Sequence, residues 1–324
     1  MKRIKWITSL FFSIFFLLLV STLSFLTGPS TIMPFPKDPL ERAILYEIRL
    51  PRILLGFAAG GSLSLSGAIL QGIFRNSLVE PYTLGISGGA AIGVCIGIAL
   101  SAQKIIGFFS LPTFGFFGSF AVLFVLLYLS GRRAIRREEL LLSGAMISFI
   151  SSSIILLFFA LLRTEEIHRI IFWMMGSLQE EEMKLIAIVC FISILGLLVS
   201  YIFSFDLNAL SLGEEEAMHL GINVIRTKRF LLLLSSFLTG LVVSITGIIG
   251  FVGLVIPHTM RLIFGSDYRF LLFSSFFFGA SFLILCDTIA RVIIAPSELP
   301  VGVVTGVIGG TLFLYLLLRG RKGG

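Results

Sequence analysis

The stretch Asp206-Leu-Asn-Ala-Leu-Ser-Leu-Gly-Glu-Glu-Glu-Ala-Met-His-Leu-Gly221 is polar and lies between two long apolar runs, near 185–205 and 230–249. Gly213 divides it into two short pieces. Glu214, Glu215 and Glu216 then fall in the first turn of the second piece, where a helix dipole favours negative charge. Gly221 follows Leu220 at the point where a helix ends on a left-handed residue. The spacing therefore predicts two short helices across the mouth of a membrane protein, followed at once by Arg226, Lys228 and Arg229. A plain solvated loop is the competing reading. Two structured turns with an apolar side (Leu207, Leu210, Ala217, Leu220) point instead to a docking surface for a soluble partner.

The rest of the chain fixes the class. Mean hydropathy is +1.04, and only 13% of the residues are charged. A membrane span needs about 20 apolar residues, and such runs recur from end to end. They are expected near 6–26, 52–74, 85–100, 105–130, 138–162, 184–205, 229–249, 251–264, 270–290 and 301–318. The fold class is thus an all-α membrane protein of about ten transmembrane helices in a compact bundle. A further short amphipathic piece is expected from Ile167 to Leu178 on the outer side. No hydrophilic stretch is long enough for a second domain, so 1–324 reads as one transmembrane domain.

Orientation follows from the positive-inside rule. The run from Trp6 to Leu26 is long for a signal sequence and lacks a small-residue cleavage site, so it reads as a retained first span. With both termini cytoplasmic, the inner side holds Lys2, Arg3, Lys5, Arg75, Arg132, Arg133, Arg136, Arg137, Arg226, Lys228, Arg229, Arg261, Arg269, Arg319, Arg321 and Lys322. The outer side is slightly acidic, for a formal total of +7. The net charge reads as topology, with no case for nucleic acid. Cys95, Cys190 and Cys286 are scattered through apolar runs, a pattern of small buried thiols and not of a disulfide framework.

Small residues recur at every fourth position in several spans. Gly56, Gly60, Ser64, Ala68 and Gly72 form one stripe, and Gly85, Gly89, Gly93 and Gly97 a second. Gly144, Ser148 and Ser152, then Gly302, Gly306 and Gly310, form two more. Such stripes let helix backbones approach closely, a main source of association in lipid. The eighth span is interrupted: Gly247, Gly250 and Gly253 open it and Pro257 lies within it. Broken helices are tolerated where they border protein-lined space.

Enzymatic chemistry is poorly supported. The chain has no P-loop, no HExxH and no GxSxG, and no cofactor is expected. Asp287 is the acid well inside an apolar run, and Arg291 follows at i+4, where the two can pair. His258 has no second metal ligand nearby. A membrane enzyme would need a convergent polar cluster. A secondary transporter would need intramembrane acids and would not need the polar docking stretch.

Several segments resemble the iron-chelate and vitamin B12 family of ABC importer permeases, in family order from Arg49 to the C-terminus. They are Arg49-Leu-Pro-Arg-Ile-Leu-Leu, the run from Leu65 through Asn76-Ser-Leu to Ala90, Phe172-Trp-Met-Met-Gly-Ser-Leu, and Leu210 to Gly221. Gly247 to His258, Asp287-Thr-Ile-Ala-Arg and Glu298-Leu-Pro-Val-Gly complete the set. Ser77 departs from the family, which usually has proline there.

The resemblance implies a ten-helix subunit of the plasma (inner) membrane in a bacterium or archaeon. It pairs with a second copy, with two cytoplasmic ATPase subunits and with an extracytoplasmic substrate-binding protein. By position, Leu210, Gly213, Glu214, Glu215, Glu216, Ala217, Leu220 and Gly221 match the segment that couples to the ATPase. Arg49 and Arg291 match arginines that receive acidic residues of the binding protein. Asn76, Ser77, Leu78, Ser143, Met146 and Ile147 match regions that line or gate the path. The implied cargo is an iron chelate, ferric siderophore or haem, with cobalamin as the alternative and secondary transport the less favoured mechanism.

Overall fold

The computed structural model describes residues 2–28, 38–102, 107, 110–131, 137–180 and 182–320, and among them every regular element is helical. Of the expected features, the inner basic residues Arg132, Arg133, Arg136, Arg321 and Lys322 and part of the start of the fourth span lie outside the described residues. Fourteen α-helices are described: α1 (Lys2–Leu26), α2 (Pro39–Ala43), α3 (Leu50–Phe74), α4 (Ile86–Ala99), α5 (Ser110–Gly131), α6 (Arg137–Leu161), α7 (Thr164–Met174), α8 (Met183–Ile202), α9 (Ser204–Leu212), α10 (Glu214–His219), α11 (Val224–Thr246), α12 (Val252–Phe264), α13 (Tyr268–Val292) and α14 (Val301–Gly320). Among the described residues, six helices are long and apolar enough to cross a membrane, and four shorter apolar ones fall at the remaining expected spans.

The central element is α3. Its apolar window is 89% buried, against 17% for the window in α6. A helix apolar on every side belongs inside a bundle, and α3 is surrounded by α8, α11, α12 and α13. The stripe read from the sequence makes the closest of these contacts. Gly56 faces Ile284, Gly60 meets the backbone of Gly279, Ser64 packs on Gly279 from the other side, and Gly72 faces Tyr268. All three neighbours, Ile284, Gly279 and Tyr268, belong to α13. A Cβ at Gly60 would overlap the Gly279 carbonyl, so glycine is required there by the distance between helices. The α4 stripe works the same way against α5, where Gly89 and Gly93 meet Gly118 and Phe114.

Three expectations need correction. The second span starts earlier than 52. Asp38 caps α2 by accepting from the Leu40 backbone N–H at 3.1 Å, and a π-helical stretch, Ile44–Arg49, carries the helix on into α3. The outer amphipathic piece runs over Thr164–Met174, not 167–178. Glu166 reaches back to the Arg163 N–H at 3.0 Å to start it, and Gly176, at φ +74, follows its end. The α14 stripe is only partly used: Gly302 meets the carbonyls of Met175 and Ile248, whereas among the described residues nothing lies within 4 Å of where a Gly306 side chain would begin.

Candidate functional site

The polar stretch folds as two short helices, α9 and α10, broken at Gly213. The Glu216 carboxylate folds back over Gly213, leaving no room for a side chain there. Gly221, at φ +81, turns the chain into α11. The pair is tied to the bundle by polar contacts at its base. Lys228 Nζ lies 2.6 Å from Glu214 Oε1, and Thr227 donates to Asp206 Oδ2 at 3.3 Å. Asn208 donates to Asp267 Oδ1 at 3.0 Å and accepts from the Tyr268 N–H at 2.9 Å. Asp267 is also bound by Arg269, whose hydrogen bond is the main reason its carboxyl is held down to about 2.

The apolar side read from the sequence is turned inward. Leu207, Leu210 and Ala217 are buried, the last two in a small cluster with Ala209 and Val224. Leu220 is not among them; it is 67% exposed. The face left outward carries Leu220 together with Phe205, Leu212 and Met218, three residues that sequence reasoning did not single out. Elements of nine and six residues have too few turns for a periodicity to show which side is which.

On the same side of the bundle lies the turn after α3. Arg75 takes the left-handed conformation, at φ 50, and ends the helix. The Asn76 side chain then accepts from the Leu78 N–H at 2.9 Å, closing the turn that a proline at position 77 would otherwise bias. Ser77 therefore leaves the turn intact. The chain continues into a 3-10 turn, Pro81–Leu84, and the start of α6 packs on it: Gly144 meets Thr83 and Leu84, and Ile147 meets Gly85. The 3-10 turn and the α6 residues are thus packed together, and Asn76 to Leu78 lie just before them in the chain. Ser143 is half-buried, with its hydroxyl given to the Glu139 carbonyl at 2.8 Å, and Met146 is exposed.

Behind that turn lies the non-helical segment from Gly247 to Phe251. Tyr82 satisfies it: its hydroxyl donates to the Ile249 carbonyl at 2.7 Å and accepts from the Ile249 N–H at 2.9 Å. Glu80 sits at the N-terminal end of α12. Burial pushes its carboxyl up to about 7, against a hydrogen bond from the Phe251 N–H that lowers it, and its Oε2 has no hydrogen-bond partner among the described residues.

The opposite end of the bundle carries a charge cluster. Arg291 Nε lies 2.9 Å from Asp287 Oδ2, the i+4 pair expected from the sequence. Arg52 joins it, with Nη1 at 3.9 Å from Asp287 Oδ1 and Nη2 at 2.5 Å from Glu298 Oε2. Gln179 donates to that same Glu298 oxygen at 2.6 Å. Glu298 is pulled two ways. Burial raises its carboxyl, but the hydrogen bond and charge of Arg52 outweigh burial and leave it below the ordinary value.

Arg49 and Arg291 are each only 2% exposed. Arg49 Nη1 donates to the Phe25 carbonyl at 2.8 Å, and Arg291 Nη2 to Ser24 Oγ at 2.9 Å. Both guanidinium groups therefore brace the end of α1 and are not held out to solvent, as their place at the span ends suggested. Arg52 and Glu298 were missed as site residues. They are separated by 246 positions, and no local spacing rule links them.

Among the described residues no group of His, Cys, Asp or Glu is arranged to hold a metal ion. The three cysteines are free thiols.

Comparison with known proteins agrees with this layout. The model of the FecCD transport family matches residues 7–319. The hemin transport system permease protein of Yersinia pestis is 37% identical over 281 residues, covering 86% of this chain and 84% of that one. The vitamin B12 import system permease protein of Klebsiella pneumoniae is 34% identical over 323 residues, 97% of this chain and 94% of its own length. A solved metal-chelate type ABC transporter in an inward-facing conformation superposes with a TM-score of 0.86 at 31% identity, covering 96% of this chain and 98% of that one.

Proposed function

The chain belongs to the FecCD transport family and is an ABC importer permease of the inner membrane, and on that premise we propose that it moves an iron chelate, a ferric siderophore or haem, into the cell. The observation that carries the mechanism is the placement of two unlike polar surfaces at opposite ends of one bundle. At the inner end, α9 and α10 form a braced pair whose exposed residues mix apolar groups (Phe205, Leu212, Met218, Leu220) with Glu215, Glu216 and His219, as suits docking on a separate ATPase subunit. At the outer end, a buried charge cluster borders a cavity where a binding protein would deliver cargo. ATP hydrolysis belongs to the partner, since this chain has no phosphate-binding loop.

A secondary transporter fits less well. Asp287, the acid inside a span, is held by Arg291 and Arg52, so its charge is engaged in a structural cluster and is ill placed to follow a coupling ion. Two copies of the chain would enclose the path, with α14 offering Gly306 as an unoccupied close-approach position. The haem-transporting relative and the metal-chelate type structure favour an iron chelate as cargo. The vitamin B12 relative favours cobalamin as the second reading.

Two measurements test this. Affinity purification of the tagged chain from its native membrane should bring down an ATPase subunit in a 1:1 ratio. Cells lacking the chain should lose uptake of radiolabelled ferric siderophore or haem and keep uptake of labelled cobalamin. The reverse uptake pattern would move the assignment to cobalamin, and retention of all three would remove the importer reading.

A further inference from the structure

A cavity of about 680 Å³ opens at the outer end of the bundle, with Tyr46, Glu47, Arg52, Gln179, Glu180 and Glu298 in its wall. Arg52 is deeply held, with 6% of its side chain exposed, and Asp287 backs it from the bundle side. Its shortest ion pair is on the cavity side, to Glu298. Glu298 differs from its partner in every respect that matters for exchange. Its side chain is 33% exposed, and it lies in the connection between α13 and α14, in which residues 293–298 are all exposed. A fixed guanidinium thus faces an open cavity, covered by a carboxylate that arrives on a solvent-exposed segment.

Any carboxylate entering the cavity from outside meets that same guanidinium. Arg52 cannot lose its charge, and its planar fork suits a second acid as well as the first. We propose that Glu298 is an internal stand-in for an Asp or Glu side chain of the extracytoplasmic binding protein, and that docking exchanges one ion pair for the other at Arg52. The inference rests on the importer reading above. Both of Glu298's bonds, from Arg52 and from Gln179, fall on Oε2, so an incoming carboxylate that takes this one place inherits two donors. Glu298 then swings free, and the connection into α14 loses its tether to α3. Docking at the outer end thereby frees the exposed connection, while α14 itself stays held by the Leu299 N–H on the Ala290 carbonyl and by Gly302 against Met175 and Ile248.

The test uses the complete permease–ATPase complex in lipid nanodiscs and the binding protein that supports uptake in the cells described above. Affinity is measured for wild type, Glu298→Gln and Arg52→Gln. Removing the internal competitor should tighten binding by about tenfold, and removing the guanidinium should weaken it by at least about tenfold, both effects shrinking with added salt. Gln179→Ala, which loosens Glu298 without touching Arg52, should tighten binding to a smaller degree and serves if Glu298→Gln assembles poorly. Unchanged or weaker binding on removal of Glu298 would overturn the exchange; weaker binding would instead make Glu298 a direct grip on a basic partner residue. A wild-type complex that binds no such protein would take down the importer reading itself.

Discussion

Asn208 in α9 bonds through both ends of its amide to the first residues of α13, donating to Asp267 and accepting from the Tyr268 N–H. The other end of α13 carries Asp287 and Arg291. One helix therefore runs from the inner helix pair α9–α10 to the outer charge cluster. Truncating the amide, Asn208→Ala, should cost about 1–3 kcal/mol of local stability, because a part-buried N–H and a carboxylate lose their partner. Transport should suffer more than folding. In the reconstituted importer, stimulation of ATP hydrolysis by loaded binding protein should fall while the basal rate persists; full stimulation would show that force passes elsewhere.

Proline at Ala217 tests the platform itself. Ala217 is buried, and its N–H donates to the Gly213 carbonyl at 3.1 Å. Proline removes that bond and costs about 3 kcal/mol in a helix interior, enough to melt six residues. The variant should reach the membrane, keep its thermal unfolding temperature within a few degrees, and fail to co-purify with the ATPase. Normal co-purification would relocate the docking face.

Leucine at Gly60 and at Gly306 should have opposite effects. At Gly60 it collides with the Gly279 backbone, and overpacking of this kind costs about 1–3 kcal/mol or more, so the yield of folded chain should drop. At Gly306 the chain offers no obstacle. That variant should fold normally as a single subunit and lose pairing between copies, read by cross-linking or native mass spectrometry. Intact pairing would place the subunit interface off this stripe.

Glu80 gives a signed pH dependence. Its folded value, about 7, lies above the ordinary carboxylate value of about 4.3. Between those two values the folded state holds the extra proton, so its stability falls as pH rises through that window. Glu80→Gln keeps the shape and removes the titration. Its unfolding temperature should exceed that of wild type at pH 7.5 and match it near pH 4.5. A constant difference across that range would assign the slope to other groups.

The helices were legible because lipid allows few ways to hide a backbone, and the α3 stripe because only small residues permit the approach seen at Gly60 and Gly279. The Asp287–Arg291 pair was legible from its i+4 spacing. Less could be read where partners are distant in the chain. Arg52 and Glu298 meet across the whole span order, and the burial of Arg49 depends on the Phe25 carbonyl at the end of α1, which no pattern around Arg49 records. The outward face of α9 and α10 escaped for another reason. Leu207 and Leu220 look alike in sequence, and only the docking of α9 against α3 and α13 decides that Leu207 is covered while Leu220 is not.

Tyr82 has a consequence for insulation. A bundle that admits bulky cargo must otherwise block ions and protons, and any stray peptide group at depth gives water a place to condense. The Gly247 to Phe251 segment is such a weak point, since its backbone leaves the helical pattern between two spans. One phenol closes it, taking up the carbonyl and the N–H of Ile249 with a single oxygen. The dryness of the bundle at this point thus rests on a side chain from the 3-10 turn Pro81–Leu84, and not on the segment it satisfies.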